Sequence, residues 1–238
     1  MTGAPFIEIR GLVKSYQSLR PLRIADLSIE PSQRLVLRGF DAGAAEMFVH
    51  LVTGAALPDD GAVRVGGRDT REIATDTEWL ASLDRFGIVT HRAVLLEGLS
   101  VAANLALPMT LSIDPMSDDV RAEVAGVASD VGLDAAGLDR PAGELDEEGR
   151  LRLHLARALA TRPGMVMLEH PTSRLTDRDA SSRLGRTLQA LSTSRAFGWI
   201  ALTEDAVFAE AAGGMVLTLD PASGGLRPAI AGWRRWIS

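Results

Sequence analysis

Ala156-Arg157-Ala158-Leu159-Ala160-Thr161-Arg162-Pro163-Gly164-Met165-Val166-Met167-Leu168-Glu169-His170-Pro171-Thr172 is the stretch that decides the fold. Its first part closes a helix over residues 149–161, and Pro163 prevents continuation. Four consecutive apolar residues, 165–168, then form a run too short for a helix and apolar on both faces, which predicts a strand buried in the middle of a sheet. Two polar residues and a proline end it.

Outward from there, alternating apolar positions predict strands over 6–9, 22–29 and 34–37, and the simplest arrangement is an antiparallel front sheet. A Gly/Ala loop follows Gly39, then a helix over 46–52 that stops at Thr53-Gly54. Turn chemistry at 57–61 leads to a hairpin, 62–65 and 68–69, around Gly66-Gly67. Further on come a buried strand at 86–90 and a helix over 118–131 with Val120, Val124, Val127 and Val131 on one face. A helix over 177–191 and buried strands at 199–202 and 215–219 complete the pattern. Strands alternating with helices predict an α/β fold with a mainly parallel sheet covered on both faces, and residues 91–157 form a helical lobe.

The chain has 238 residues, 46% of them apolar, enough for one sizeable core. A net charge of −6 argues against a nucleic-acid binder, which needs clustered cations. With no cysteine there is neither a disulfide framework nor a thiolate metal site, which suits the cytoplasm. Residues 1–10 lack a basic region followed by an apolar run, so no signal peptide is expected. The most apolar stretch, 98–113, is too short to span a bilayer and is interrupted by Asn104 and Pro108. Lys14 is the only lysine.

The run Ala156-Arg157-Ala158-Leu159-Ala160, then Arg162-Pro163, an apolar strand and Pro171-Thr172, resembles the ARALA…RP…LLLLDEPT pattern of ATP-binding cassette (ABC) transporter subunits. The resemblance extends from Leu12-Val13-Lys14-Ser15-Tyr16 to Thr203-Glu204-Asp205, and residues 95–108 look most like the lipoprotein-releasing and macrolide-export branch. It implies a P-loop NTPase-like fold in a single domain over 1–238. A RecA-like core with an antiparallel β subdomain would take 1–90 and 158–238, and a helical subdomain about 91–157.

Station by station, the resemblance implies a dismantled catalytic site. The P-loop G-x-x-x-x-G-K-[ST] cradles phosphates and Mg²⁺. Here the aligned stretch is Gly39, Phe40, Asp41, Ala42, Gly43, Ala44, Ala45, Glu46 and Met47, with Ala45 at the lysine position and Glu46 at that of the Mg²⁺ ligand. Asp41 and Glu46 set two carboxylates where phosphate would sit; the simplest structural role for Glu46 is to cap its own helix. The strand-end Asp-Glu pair is Glu169-His170, the glutamine that senses Mg²⁺ is His91, and the switch histidine is Glu204. The LSGGQ signature is Leu145-Asp146-Glu147-Glu148-Gly149, also readable as an acidic helix cap. Tyr16 stands where the family stacks adenine, though an aromatic there serves equally well as core.

The resemblance therefore points to a non-hydrolysing ABC subunit that lies at the inner face of the membrane. It would dock on a permease through Leu95, Leu96, Leu99, Val101, Asn104, Leu105 and Pro108, and pair with a second ABC ATPase subunit. ATP with Mg²⁺ is the cofactor the family implies, with its grip weakened. Two other readings stand beside it: a weakly active ATPase, and a metal-binding sensor in which His91, Glu169, His170 and Glu204 converge as ligands. If residues 39–47 keep the P-loop shape, Ala45→Lys with Glu46→Ser should restore nucleotide affinity.

Overall fold

Strand β7 (Met165–Glu169) is buried at all five residues, as is β8 (Gly198–Leu202) beside it. A pair buried on both faces requires neighbours on each side and a layer above and below. In the computed structural model, which describes residues 4–228, the neighbours are β6 (Phe86–Val89) and β3 (Arg34–Arg38). The sheet continues through β9 (Met215–Leu219) to β10 (Leu226–Pro228), in the order β10-β9-β3-β8-β7-β6. All its pairings are parallel except β10 on β9.

A second, antiparallel sheet is built from β1 (Ile7–Lys14), β2 (Leu22–Ile29), β4 (Asp60–Val65) and β5 (Arg68–Asp69), in the order β2-β1-β4-β5. Its alternating inward residues, among them Ile7, Ile9, Ile24, Ile29, Val63 and Val65, close over helix α1 (Ala42–Thr53) and one face of the parallel sheet. Gly66 and Gly67 turn the β4–β5 hairpin with φ of +57° and +84°, the double positive φ that a two-residue hairpin loop demands. The expected three-stranded front sheet is thus corrected: β3 pairs with β8 and β9 instead. Its middle residues Leu35, Val36 and Leu37 are apolar in succession and fully buried, which suits a two-sided strand and not a half-solvated one.

The opposite face of the parallel sheet is covered by α3 (Val101–Ala106), α4 (Asp118–Asp130), α5 (Glu147–Ala160), α6 (Arg178–Ser194) and α7 (Ala206–Ala212). The valine stripe of α4 packs as its spacing predicts: Val124 and Val127 are buried, Val131 closes the end, and Val120 is partly covered. Helix α2 (Asp76–Leu83) buries no residue; Trp79 ties it to α1 by donating its indole N–H to the Thr53 carbonyl.

Several residues expected to form a docking surface are core. Val101, Asn104 and Leu105 are buried, Leu95 and Leu99 partly covered, and only Leu96 and Pro108 are exposed. Asn104 explains the shape of the segment before α3. Its amide accepts from the Leu96 N–H at 2.9 Å and donates to the carbonyls of Leu96 and Ser100 at 2.9 and 3.0 Å. These bonds hold Leu96 outward while the helix turns inward. Asn104→Ala should cost ~1–3 kcal/mol, since it strands these polar partners, with amide exchange accelerating at residues 94–100 in a hydrogen-exchange measurement. Unchanged protection there would show that α3 packing alone shapes the segment.

Candidate functional site at the carboxyl ends of the parallel strands

In a parallel sheet covered on both faces, the loops that leave the strand ends are the open ground for chemistry. The carboxyl ends of β3, β6, β7 and β8 bring together Gly39, Thr90, Glu169-His170 and Thr203-Glu204.

Gly39 leaves β3 with φ +83°, and a Cβ there would lie 2.7 Å from the Leu219 carbonyl oxygen, so the position excludes a side chain. Asp41 is the N-cap of α1, accepting from the Ala44 N–H at 2.8 Å, while its carbonyl takes the Ala45 N–H at 2.9 Å. The helix therefore begins at Ala42, within the turn the resemblance aligns with the P-loop. Ala44 and Ala45 are buried in the apolar cluster beneath the antiparallel sheet. The ring of Tyr16 lies against Gly43, with Cε2 3.1 Å from where a Cβ would stand, and packs partly into the same core. Lys14, the only lysine, is engaged with Asp59 at 2.7 Å.

Glu46 does not cap its helix, contrary to the expectation; Asp41 does. Glu46 is one turn further in and forms an ion pair with Arg92, with His50 at 3.9 Å on the same helix face. The Arg92 Nη2 also donates to both oxygens of Glu169, at 2.7 and 2.6 Å, and the Thr90 hydroxyl donates to Glu169 at 3.1 Å. The Glu169 side chain is only 8% exposed, so this carboxylate has exchanged water for a guanidinium. Arg92 was not singled out from the sequence.

The other stations have local partners too. Glu204 accepts from the Gly39 N–H and from Arg38 Nε, the latter at 2.9 Å. His170 follows β7 in left-handed backbone, φ +41°, and its buried Nε2 has no hydrogen-bond partner. The imidazole of His91 meets the His170 carbonyl at 3.3 Å; burial, with the charge of Arg174 beside it, lowers its pKa. No three carboxylate or imidazole groups come together to hold a metal among the described residues. Of the four ligands that the alternative metal-sensor reading would need, Glu169 faces Arg92 and Glu204 faces Arg38.

In the signature-like segment, Asp146 caps α5 by accepting from the Gly149 N–H at 2.7 Å. Glu147 is exposed, and Leu145 is half-buried. Glu148 is held by Arg183 and Arg152, each at 2.7 Å. The hydrogen bond from Arg183, then that from Arg152, outweighs burial and lowers its carboxyl from the ordinary 4.5 to about 2. A depressed carboxylate pKa stabilises the fold above the unfolded value, and that contribution is lost as pH falls from about 4.5 toward 2. Glu148→Gln should lower stability at pH 7 by ~1–2 kcal/mol, discounted for solvent screening. The difference from the unaltered chain should vanish by about pH 2 in urea titrations; a pH-independent difference would mean Glu148 acts by packing.

The geometry has relatives among known proteins. The lipoprotein-releasing system ATP-binding protein LolD of Coxiella burnetii is 26% identical over 214 residues, covering 88% of this chain and 91% of LolD. The sulfate/thiosulfate import ATP-binding protein CysA 2 of Chromobacterium violaceum is 32% identical over 191 residues, covering 78% of this chain and 48% of the relative. The macrolide export ATP-binding/permease protein MacB of Rhodopseudomonas palustris is 26% identical over 75% of this chain and 28% of its own length. Among solved structures, a dimeric ATP-binding cassette in a post-hydrolysis state bound to ADP and Pi superposes with a TM-score of 0.76 at 19% identity, covering 94% of this chain and 97% of that one. The cbiO1 component of an ABC transporter complex from Clostridium perfringens gives 0.75 at 17% identity, over 94% and 87% of the two chains. Both show the fold. No protein-family model matches the chain.

Proposed function

We propose, from the premise that this chain is a homologue of the ATP-binding subunits of ABC transporters, that it works as a subunit of such a transporter without hydrolysing ATP. The observation that carries the reading is the helical turn at Ala42. A phosphate-binding loop offers free N–H groups to the ligand, whereas here those of Ala44 and Ala45 already bond Asp41. The residues at the family's Mg²⁺–ATP positions do not fit that ligand. Ala45 is fully buried and brings no charge, and Glu46 and Glu169 share a guanidinium.

His170, at the position of the catalytic carboxylate, has its Nε2 buried away from solvent. The same locking bears on the double substitution that would restore the family's residues. Ala45→Lys would put an ammonium at a site with no exposure, at a cost of several kcal/mol, and Glu46→Ser would leave Arg92 with one partner.

The purified chain should therefore turn over ATP no faster than a buffer control. The Ala45→Lys, Glu46→Ser variant should melt lower and gain no ATP affinity by isothermal titration with Mg²⁺. Hydrolysis by the unaltered chain that is abolished by His170→Ala would make it a working ATPase and sink the proposal.

The function then rests on binding. No helix among the described residues is long and apolar enough to cross a membrane, so attachment at the inner membrane face falls to a permease. An ATPase partner subunit supplies any hydrolysis. The surface available for the permease is narrower than the sequence implied: Val94, 72% exposed, lines a cleft of about 220 Å³ with Glu97, Arg150, His154 and Arg174, and Leu96 is exposed two residues further on. Val94→Asp with Leu96→Asp should abolish co-purification with the permease and leave the melting temperature unchanged. Loss of fold, or retained co-purification, would place the seat elsewhere.

A further inference from the structure

We infer that Arg92 is the resident cation of this site: its guanidinium takes the place of a divalent ion between Glu46 and Glu169, and so fastens the segment that leads into α3 to the sheet without any ligand. Three separate elements meet at that one charge. Glu46 stands on α1, Glu169 at the end of β7, and Arg92 in the segment that runs from β6 into α3. Nη1 faces Glu46, Nη2 bridges both Glu169 oxygens, and Nε lies 3.3 Å from the Thr90 hydroxyl.

Two carboxylates and a hydroxyl are the oxygen donors a hard divalent cation takes. A guanidinium satisfies the same donors through a planar fork, stays charged at any physiological pH, and cannot dissociate because it is part of the chain. The segment carrying it is also held on either side, by His91 on the His170 carbonyl and by Arg157, which donates to the Val94 carbonyl at 2.7 Å. The segment is thus pinned at the place where it leaves the sheet. Two carboxylates face one guanidinium, so removal of Arg92 leaves an oxygen set without its cation.

The inference rests on the non-hydrolytic reading in one respect: carboxylates held by Arg92 are not free to serve a nucleotide-bound ion. Its test uses no nucleotide. The full chain, Arg92→Ala and Arg92→Ala with Glu169→Gln are compared by hydrogen exchange over residues 90–97 and by thermal melting, with and without Mn²⁺ alone. Arg92→Ala should exchange at least tenfold faster there and melt lower, and Mn²⁺ should reverse both. Neither the unaltered chain nor the double variant should respond.

A purely structural arginine would leave a defect that no ion repairs, so acceleration without Mn²⁺ rescue overturns the proposal. Unchanged exchange in Arg92→Ala, or an equal Mn²⁺ response in the unaltered chain, overturns it as well. If Arg92→Ala does not fold, Arg92→Gln, which keeps the chain length and removes the charge, carries the test, with acceleration relieved by Mn²⁺ as the supporting result and acceleration that Mn²⁺ leaves unrelieved as the contrary one. ATP turnover by the unaltered chain would remove the functional proposal and leave these arms standing.

Discussion

Burial of β7 and β8 on both faces is the constraint from which the remaining architecture follows. A strand with two apolar faces has nowhere to present chemistry along its length, so polar groups appear only as the chain leaves the sheet. The fully buried run 165–168 gives way within one residue to Glu169 and His170, and the parallel direction of β3, β6, β7 and β8 puts the other exits beside them. Site and core are one decision: the covering that makes β7 insoluble on its own also brings a carboxylate to 8% exposure and obliges it to find a counter-charge.

Much of this could be read before the structure. Strands with a continuous apolar run, β7 and β8, and helices with a long stripe, α4 and α5, lie where periodicity put them, whereas β9 has the predicted position but not the predicted burial, since Thr218 interrupts its run, Met215 is exposed and only Leu219 is buried. The misassigned strand is instructive. Arg34-Leu35-Val36-Leu37 was grouped with its alternating neighbours, yet three apolar residues in succession are the mark of a covered strand. Helix α2 escaped because none of its residues is buried, leaving no stripe, although Thr75 accepting from the Glu78 N–H is an ordinary start signal. Helices α3 and α7 were missed at similar caps, Ser100 and Asp205.

The candidate site was legible in its residue types and not in its pairings. The resemblance alone implies that Ala45, Glu46, His170 and Glu204 depart from the family pattern. That Glu46 meets Arg92 46 positions later, and that Arg92 meets Glu169 another 77 on, is long-range information with no period to announce it. The early start of α1 was nearer to hand: Asp41 followed by Ala42, Ala44 and Ala45 combines a favoured cap with the strongest helix former. Family expectation held the same residues in a loop, and local propensity prevailed.

The scarcity of lysine gives the molecule an unusual chemical address. Every other long cationic side chain is a guanidinium, which amine-directed reagents leave alone, so the side-chain amine chemistry of the whole surface is gathered at Lys14. Its side chain is 21% exposed and its amine is clasped by Asp59, at the end of β1 two residues before the ring that leans on α1. A fluorophore or cross-linker attached there would report from a single known position beside Tyr16, without engineering, and its rate of attachment would record how often the clasp opens.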